Sequence, residues 1–180
     1  MSDTRTQVLD LAERGLRERG YHAVSFRDLA DALGIRSASV HYHFRHKEDL
    51  GMAVVDRYAA GVAQQLGPAG ALPWPRAVGR FCKIYQDALG KTDLQCLCGM
   101  LAAESGGLPP AIADRVASYF AANINWLMAC MPEDMPDKRT KAQSIQAEIQ
   151  GAMTLAISLG DMSVLDQITR RICAEHADHP

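Results

Sequence analysis

Three observations predict an all-α protein of about nine helices. Apolar residues recur at the three-to-four spacing of amphipathic helices along most of the chain. No stretch shows the every-second-residue alternation of a half-buried strand. Glycine and proline gather at the joints between periodic stretches, most densely at residues 67–75 (GPAGALPWP).

The first helix opens at Thr4, with Gln7 three residues on as in a capping box. It carries Val8, Leu11, Ala12, Gly15 and Leu16 on one stripe and stops at Gly20. Ser25 and Asp28 repeat the cap pattern before a second helix whose inner face is Phe26, Leu29, Ala30 and Leu33, closed by Gly34. A short third helix starts near Ser37, with Val40 and Phe44 inward. Lys47, Glu48 and Asp49 open a long fourth helix, where the acids suit the positive end of the dipole, and Leu50, Ala53, Val54 and Tyr58 form its inner face. Beyond residues 67–75, helical patterns run over 74–89, 94–104, 110–131, 137–159 and 162–176.

Bulk properties narrow the classes. With 48% apolar residues among 180, the chain can bury a core, so global disorder is excluded. No apolar run approaches the roughly 20 residues that span a bilayer. The polar start MSDTRTQVLD lacks the apolar stretch of a secretory leader, so a cytoplasmic location is expected. Five cysteines, Cys82, Cys96, Cys98, Cys130 and Cys173, are an odd number and read as free thiols of a reducing compartment. The net charge is −2, and residues 1–50 hold eight Lys/Arg against eight Asp/Glu. Any nucleic-acid role therefore requires positive groups sorted onto one face.

Helices two and three are joined by Gly34-Ile35-Arg36, the length of a helix-turn-helix connection. With Val40 and Phe44 inward, Ala38, Ser39, Tyr42 and His46 face outward, and small residues at the start of helix three let it sink into a major groove. Arg27, Tyr42, His43 and Lys47 are then placed for phosphate, and Ser25 and Ser37 mark helix N-termini whose N–H groups can add to it. The stripe of helix one, Gly20-Tyr21, Val24-Ser25-Phe26-Arg27-Asp28-Leu29-Ala30, Leu33-Gly34-Ile35, and Val40-His41-Tyr42-His43-Phe44-Arg45-His46-Lys47-Glu48-Asp49-Leu50 form one pattern. On these segments the chain resembles the TetR family from residue 8 to residue 58. Two positions depart from the pattern. Arg36 stands where Ser or Thr often caps the recognition helix, so that either Ser37 takes the cap or Arg36 contacts DNA. His41 stands where Tyr often contacts phosphate. The expected DNA-binding set is Ser25, Arg27, Arg36, Ser37, Ala38, Ser39, His41, Tyr42, His43 and Lys47, within a domain of residues 1–46.

For residues 47–180 the resemblance implies an effector-binding and dimerisation domain: helices four to seven around a pocket, and the last two pairing across a two-fold axis. Independently, Ile145, Ile149, Ala152, Met153 and Ala156 form one apolar stripe and Val164, Leu165, Ile168 and Ile172 another, which read as the dimer interface or, in the alternative, as faces packed only within the chain. The block Gln95-Cys96-Leu97-Cys98-Gly99-Met100-Leu101-Ala102-Ala103-Glu104 resembles that of a branch of the family that includes electrophile-responsive repressors such as NemR. Cys96, read in the first turn of its helix with Lys91 nearby, is either a sensor thiol or a small buried hydrophobe. The sensor set is Cys96, Cys98, Met100, Glu104, Tyr85, Phe120 and Trp126; the aromatic and methionine side chains equally suit ordinary core packing, and Glu104 either caps or salt-bridges structurally or binds a ligand.

The sequence carries no Gly-rich phosphate loop, metal constellation or nucleophile–base motif, so neither an enzyme nor a bound cofactor or metal is expected. The function expected is that of a homodimeric repressor on palindromic double-stranded operator DNA, nucleoid-associated when bound. A small hydrophobic or electrophilic effector would release it by moving helix four and spreading the DNA-binding heads. The alternative is a sequence-specific DNA-binding factor without a sensor role.

Overall fold

The structure, a computed structural model, describes residues 3–177. Among these it holds nine α-helices and no strand: α1 (Thr4–Arg19), α2 (Phe26–Leu33), α3 (Ser37–His43), α4 (Lys47–Leu66), α5 (Trp74–Thr92), α6 (Leu97–Ala103), α7 (Pro110–Cys130), α8 (Lys138–Leu159) and α9 (Ser163–Glu175). A 3₁₀ turn, Ser105–Gly107, follows α6. The all-helical expectation and the helix number hold. No described helix is long and apolar enough to cross a membrane.

The chain divides into two compact units. One takes the chain up to Ala59 together with Leu97–Ala117; the other takes Ala60–Cys96 together with the chain from Ser118 onward. The unit that holds the helix-turn-helix thus extends past residue 46 and recruits α6 from far along the sequence.

In the first unit, α1, α2 and α3 pack on one another and α6 packs on α1. Val8, Ala12, Leu16, Val24, Leu29, Ala30, Val40 and Phe44 are buried, joined by Leu50, Val54, Leu97, Leu101 and Ile112. Each such aliphatic or aromatic side chain contributes about 1.5–3 kcal/mol on burial. The cap of α1 sits one residue earlier than the sequence pattern places it. Asp3 accepts from the Thr6 N–H at 2.7 Å, because an ionised carboxylate also favours the positive end of the helix dipole. That bond holds the Asp3 carboxyl below the usual carboxylate range. At α2 the capping box forms as expected: Ser25 Oγ accepts from the Asp28 N–H at 3.2 Å and donates to the Asp28 carboxylate at 2.7 Å.

Two glycines end these helices for different reasons. Gly34, with φ +65°, closes α2 in the left-handed region while the Ile35 N–H reaches back to the Ala30 carbonyl at 3.0 Å. Gly20, with φ +81°, closes α1, and a Cβ there would also overlap the Glu104 carboxylate.

In the second unit, α5, α8 and α9 pack together. The two apolar stripes of α8 and α9 meet their first partners inside the chain. Ile145, Ile149, Ala152, Met153, Ala156, Leu165 and Ile172 are buried within the chain, and Val164 and Ile168 are half-buried. The periodicity marks a face that α5 and the α8–α9 pairing largely cover within the chain, while Val164 and Ile168 keep part of their surface open. The large apolar groups left exposed are Leu155 (53%), Leu159 (67%) and Met162 (40%), on the other side of α8 and at the approach to α9.

Replacing Gly20 and Gly34 by alanine separates the two causes. Gly34→Ala meets open space and is expected to lose about 1 kcal/mol to backbone strain alone. Gly20→Ala, which must also displace Glu104, is expected to cost more, on the order of 2–3 kcal/mol. Urea denaturation checks the order, and equal losses would show that Glu104 does not crowd the turn.

Candidate nucleic-acid interface

Helix α3 is anchored by Val40 and Phe44, which are almost fully buried; Arg5 of α1 lies over the Phe44 ring at 5.3 Å. That anchoring turns Ser37, Ala38, His41 and Tyr42 to solvent, with Ser39 and His43 half-buried. Tyr42 is 86% exposed, unusual for a large ring without a partner surface. His41 packs edge-on to Phe26 at 4.7 Å, and His43 edge-on to Tyr42 at 5.1 Å.

Arg36 occupies the cap position of α3 with extended backbone and no side-chain capping bond, while Ser37 is already helical. Its exposed guanidinium therefore stands beside the helix N-terminus, where an oxyanion is favoured. Arg27 is exposed and only loosely tied to Asp31, at 3.8 Å. Ser25 is exposed, although its hydroxyl already serves Asp28.

Lys47 differs from the expectation of a cation facing solvent. It is half-buried, with Nζ 4.4 Å above the Tyr21 ring and donating to the His22 carbonyl at 3.3 Å. Burial pulls its pKa below the usual lysine value, against the pull of the nearby Glu104 carboxylate. Arg45 and His46, exposed just beyond α3, belong to the same surface and were not in the expected set. The run from Ala32 to Lys47, which contains no Asp or Glu, could have flagged them.

Charge is sorted in the way a neutral domain needs. Arg57 of α4 binds Asp10 at 2.7 Å and Glu13 at 2.9 Å, Glu13 also lies 3.9 Å from Arg17, and Glu18 binds Arg14 at 2.7 Å. The acids of α1 are thereby matched by cations outside the acid-free run. What remains along that run is Arg36, Arg45 and three histidines around small side chains, a surface suited to phosphate and groove edges.

Glu104 has a role that sequence did not reveal. Its carboxylate accepts the Tyr21 backbone N–H at 2.8 Å and lies against Gly20, while the His22 ring meets the Gly107 carbonyl at 3.1 Å. The α6 end thus holds the turn that leads into the helix-turn-helix, and no local pattern signals a partner 83 residues away.

The remaining sensor-set residues divide between the units. Cys98 is buried and Met100 half-buried on α6, in the first unit. In the second, Cys96 precedes α6 instead of lying in its first turn, because α5 runs to Thr92 and Asp93 takes a left-handed cap. The Cys96 thiol is fully buried, 3.8 Å from the Tyr119 hydroxyl; Lys91 pairs with Asp87 at 3.6 Å. Tyr85 sits in a buried polar cluster. Its hydroxyl meets that of Tyr119 at 3.2 Å and accepts from Asn123 at 3.2 Å and Gln146 at 3.1 Å. Burial pushes the Tyr85 hydroxyl well above its ordinary pKa, so it stays neutral. Phe120 packs edge-on to Tyr119 at 5.2 Å, and Trp126 donates to the Gly67 carbonyl at 2.8 Å.

Residues 8–54 match the family model of bacterial regulatory proteins, tetR family. Over 49 residues the chain is 47% identical to the HTH-type transcriptional repressor KstR2 of Rhodococcus jostii, covering 27% of this chain and 24% of that one. The chain thus spans well under two thirds of that relative's length. Over nearly its whole length it is similar to a TetR transcriptional regulator from Legionella pneumophila, with 28% identity, TM-score 0.90 and 98% of each chain covered. A TetR family regulator from Agrobacterium tumefaciens gives 26% identity and TM-score 0.86 over 96% of each chain. The chain has the all-helical TetR-like fold, with a tetR-type helix-turn-helix at residues 8–54.

Proposed function

We propose that this protein is a transcriptional repressor that binds palindromic operator DNA as a two-fold dimer and leaves it when a small effector acts on the second unit. The observation that carries the reading is the surface of α3: small residues and an exposed Tyr42 over a buried Val40–Phe44 anchor, in an acid-free run flanked by Arg36 and Arg45. Ser37, Ala38 and Ser39 would approach base edges. Arg27, Arg36, His41, Tyr42, His43 and Arg45 would meet phosphates, and Ser25 would offer its helix N-terminus. Lys47 would act by holding Tyr21 and His22.

Dimerisation is supported by the exposed Leu155, Leu159 and Met162, which an isologous pairing would cover, and by the need for two recognition helices about 34 Å apart on a palindrome. The effector reading is supported by the neutral polar cluster at Tyr85, Tyr119, Asn123 and Gln146 within an apolar unit, whose mutual hydrogen bonds a small, largely hydrophobic molecule with a polar group could exchange for its own. An electrophile acting at Cys96 would need the segment before α6 to open, since the thiol is fully buried. That burial favours a second reading, a DNA-binding factor that senses nothing. Loss of operator binding on adding hydrophobic or electrophilic compounds decides for the repressor with an effector; indifference to all of them decides for the second reading.

Anisotropy titration against the DNA upstream of its own gene tests operator binding. The expected affinity is roughly 10⁻⁸–10⁻¹¹ M. Arg36→Ala and Tyr42→Ala should each weaken it about tenfold or more. Three exposed arginines per protomer, Arg27, Arg36 and Arg45, imply a log–log salt slope of about −5 for a dimer. Absence of saturable, sequence-selective binding to operator candidates would overturn the reading. For the dimer, Leu155→Glu with Leu159→Glu should give a folded monomer by light scattering; a double variant that remains dimeric moves the interface elsewhere.

A further inference from the structure

Helices α5 and α9 meet in the second unit along a register of side-chain contacts. Gln86 of α5 donates to Thr169 at 3.0 Å and to Asp166 at 2.8 Å on α9. At the other end of the same contact, the Trp74 ring packs edge-on to His176 at 5.2 Å. The helices therefore run antiparallel here. One turn back from Gln86 on α5 is Cys82, and one turn on from Thr169 along α9 is Cys173. The two thiols accordingly face each other across the α5–α9 contact, near enough for Cys173 to bear on Cys82, and both are free. The other cysteines have different surroundings: Cys96 lies against Tyr119, Cys130 beside the Gly70 backbone, and Cys98 on α6.

We propose that Cys82 and Cys173 are a dithiol site that a peroxide converts to an intramolecular disulfide joining α5 to α9. The two sulfurs differ in access. Cys82 is almost fully buried, whereas Cys173 is partly exposed, so Cys173 is the point of entry. Burial, followed by the neighbouring Cys173, pushes the Cys82 thiol up, so Cys82 stays protonated and does not react first; in the second step its proton leaves with the departing oxygen.

In the first step the Cys173 thiolate attacks a peroxide oxygen. An S–O bond forms, the O–O bond breaks, and hydroxide leaves to take up the proton that Cys173 released. In the second, the Cys82 sulfur attacks the Cys173 sulfenic sulfur; the S–S bond forms, the S–O bond breaks, and the oxygen leaves as water with the Cys82 proton. Both thiols are oxidised and one hydrogen peroxide is reduced to two waters. The bond closes a covalent loop from residue 82 to residue 173, which restricts the unfolded chain and fixes α9 against α5.

The test uses the full chain, reduced, freed of reductant and titrated with hydrogen peroxide, then quenched with an alkylating reagent and mapped by peptide mass spectrometry. The expected result is one linked peptide pair containing Cys82 and Cys173, the mass of two hydrogens lost, and reversal by dithiothreitol. Tm should rise by about 5–15 °C in the oxidised form. Cys173→Ser should abolish the link and the Tm rise; this partly exposed position keeps the test valid even if Cys82→Ala folds poorly. Cys96→Ser should leave both unchanged. Oxidation of Cys173 to sulfinic acid with Cys82 still alkylatable, a link to another cysteine or another chain, or no oxidation at all would overturn the proposal.

Discussion

Glu104 holds the turn between α1 and α2 from outside the helix-turn-helix, through a charged hydrogen bond to the Tyr21 N–H at 2.8 Å. A bond of this kind, partly buried, is worth about 1.5–3 kcal/mol. It depends on a glycine at position 20, since any Cβ there would occupy the space of the carboxylate. The turn in turn presents the Tyr21 ring and the His22 carbonyl to Lys47, whose ammonium bridges them. The start of α4, the turn after α1 and the end of α6 are thus tied at one point. The orientation of α2 and α3, and so the surface of Arg36, Tyr42 and Arg45, follows from it. The contact of His22 with Gly107 adds a second tie to the same turn.

Electrostatics complete the arrangement. A domain with equal numbers of acids and bases presents a positive surface only if the acids are matched elsewhere. Arg57, Arg14 and Arg17 do this for Asp10, Glu13 and Glu18 of α1. In the second unit the polar problem is the reverse, with neutral groups buried in an apolar core. Tyr85, Tyr119, Asn123 and Gln146 satisfy one another, which selects one packing of α5, α7 and α8 over near alternatives.

The helix-turn-helix was legible in sequence because its signals are local. Ser25 with Asp28, Gly20, Gly34 and the spacing of Val40 and Phe44 each act within a turn or two of their own position. The cap of α1 slipped by one residue because Asp3 and Thr4 are both good caps and the charge decided. Position 96 reads as helical because the apolar pattern of Leu97–Ala103 extends back to Leu94; in the structure Asp93 takes a left-handed cap and α6 starts only at Leu97. The stripes of α8 and α9 read in sequence as faces that need a partner. Periodicity does not say what buries them, and α5 of the same chain does. The sequence leaves Glu104 open between a structural cap or salt bridge and a ligand contact, because nothing near it names Tyr21. Long-range pairing of one carboxylate with one backbone N–H leaves no pattern to read.

Amide hydrogen exchange at Tyr21, followed by NMR in the wild type and in Glu104→Ala and Glu104→Gln, tests the dependence of the helix-turn-helix on this carboxylate most directly. Loss of a bond of about 1.5–3 kcal/mol should speed exchange of the Tyr21 amide by roughly ten- to a hundredfold in Glu104→Ala. Glu104→Gln, which keeps an acceptor but no charge, should fall between the two. A Tyr21 amide equally protected in all three proteins would contradict the account.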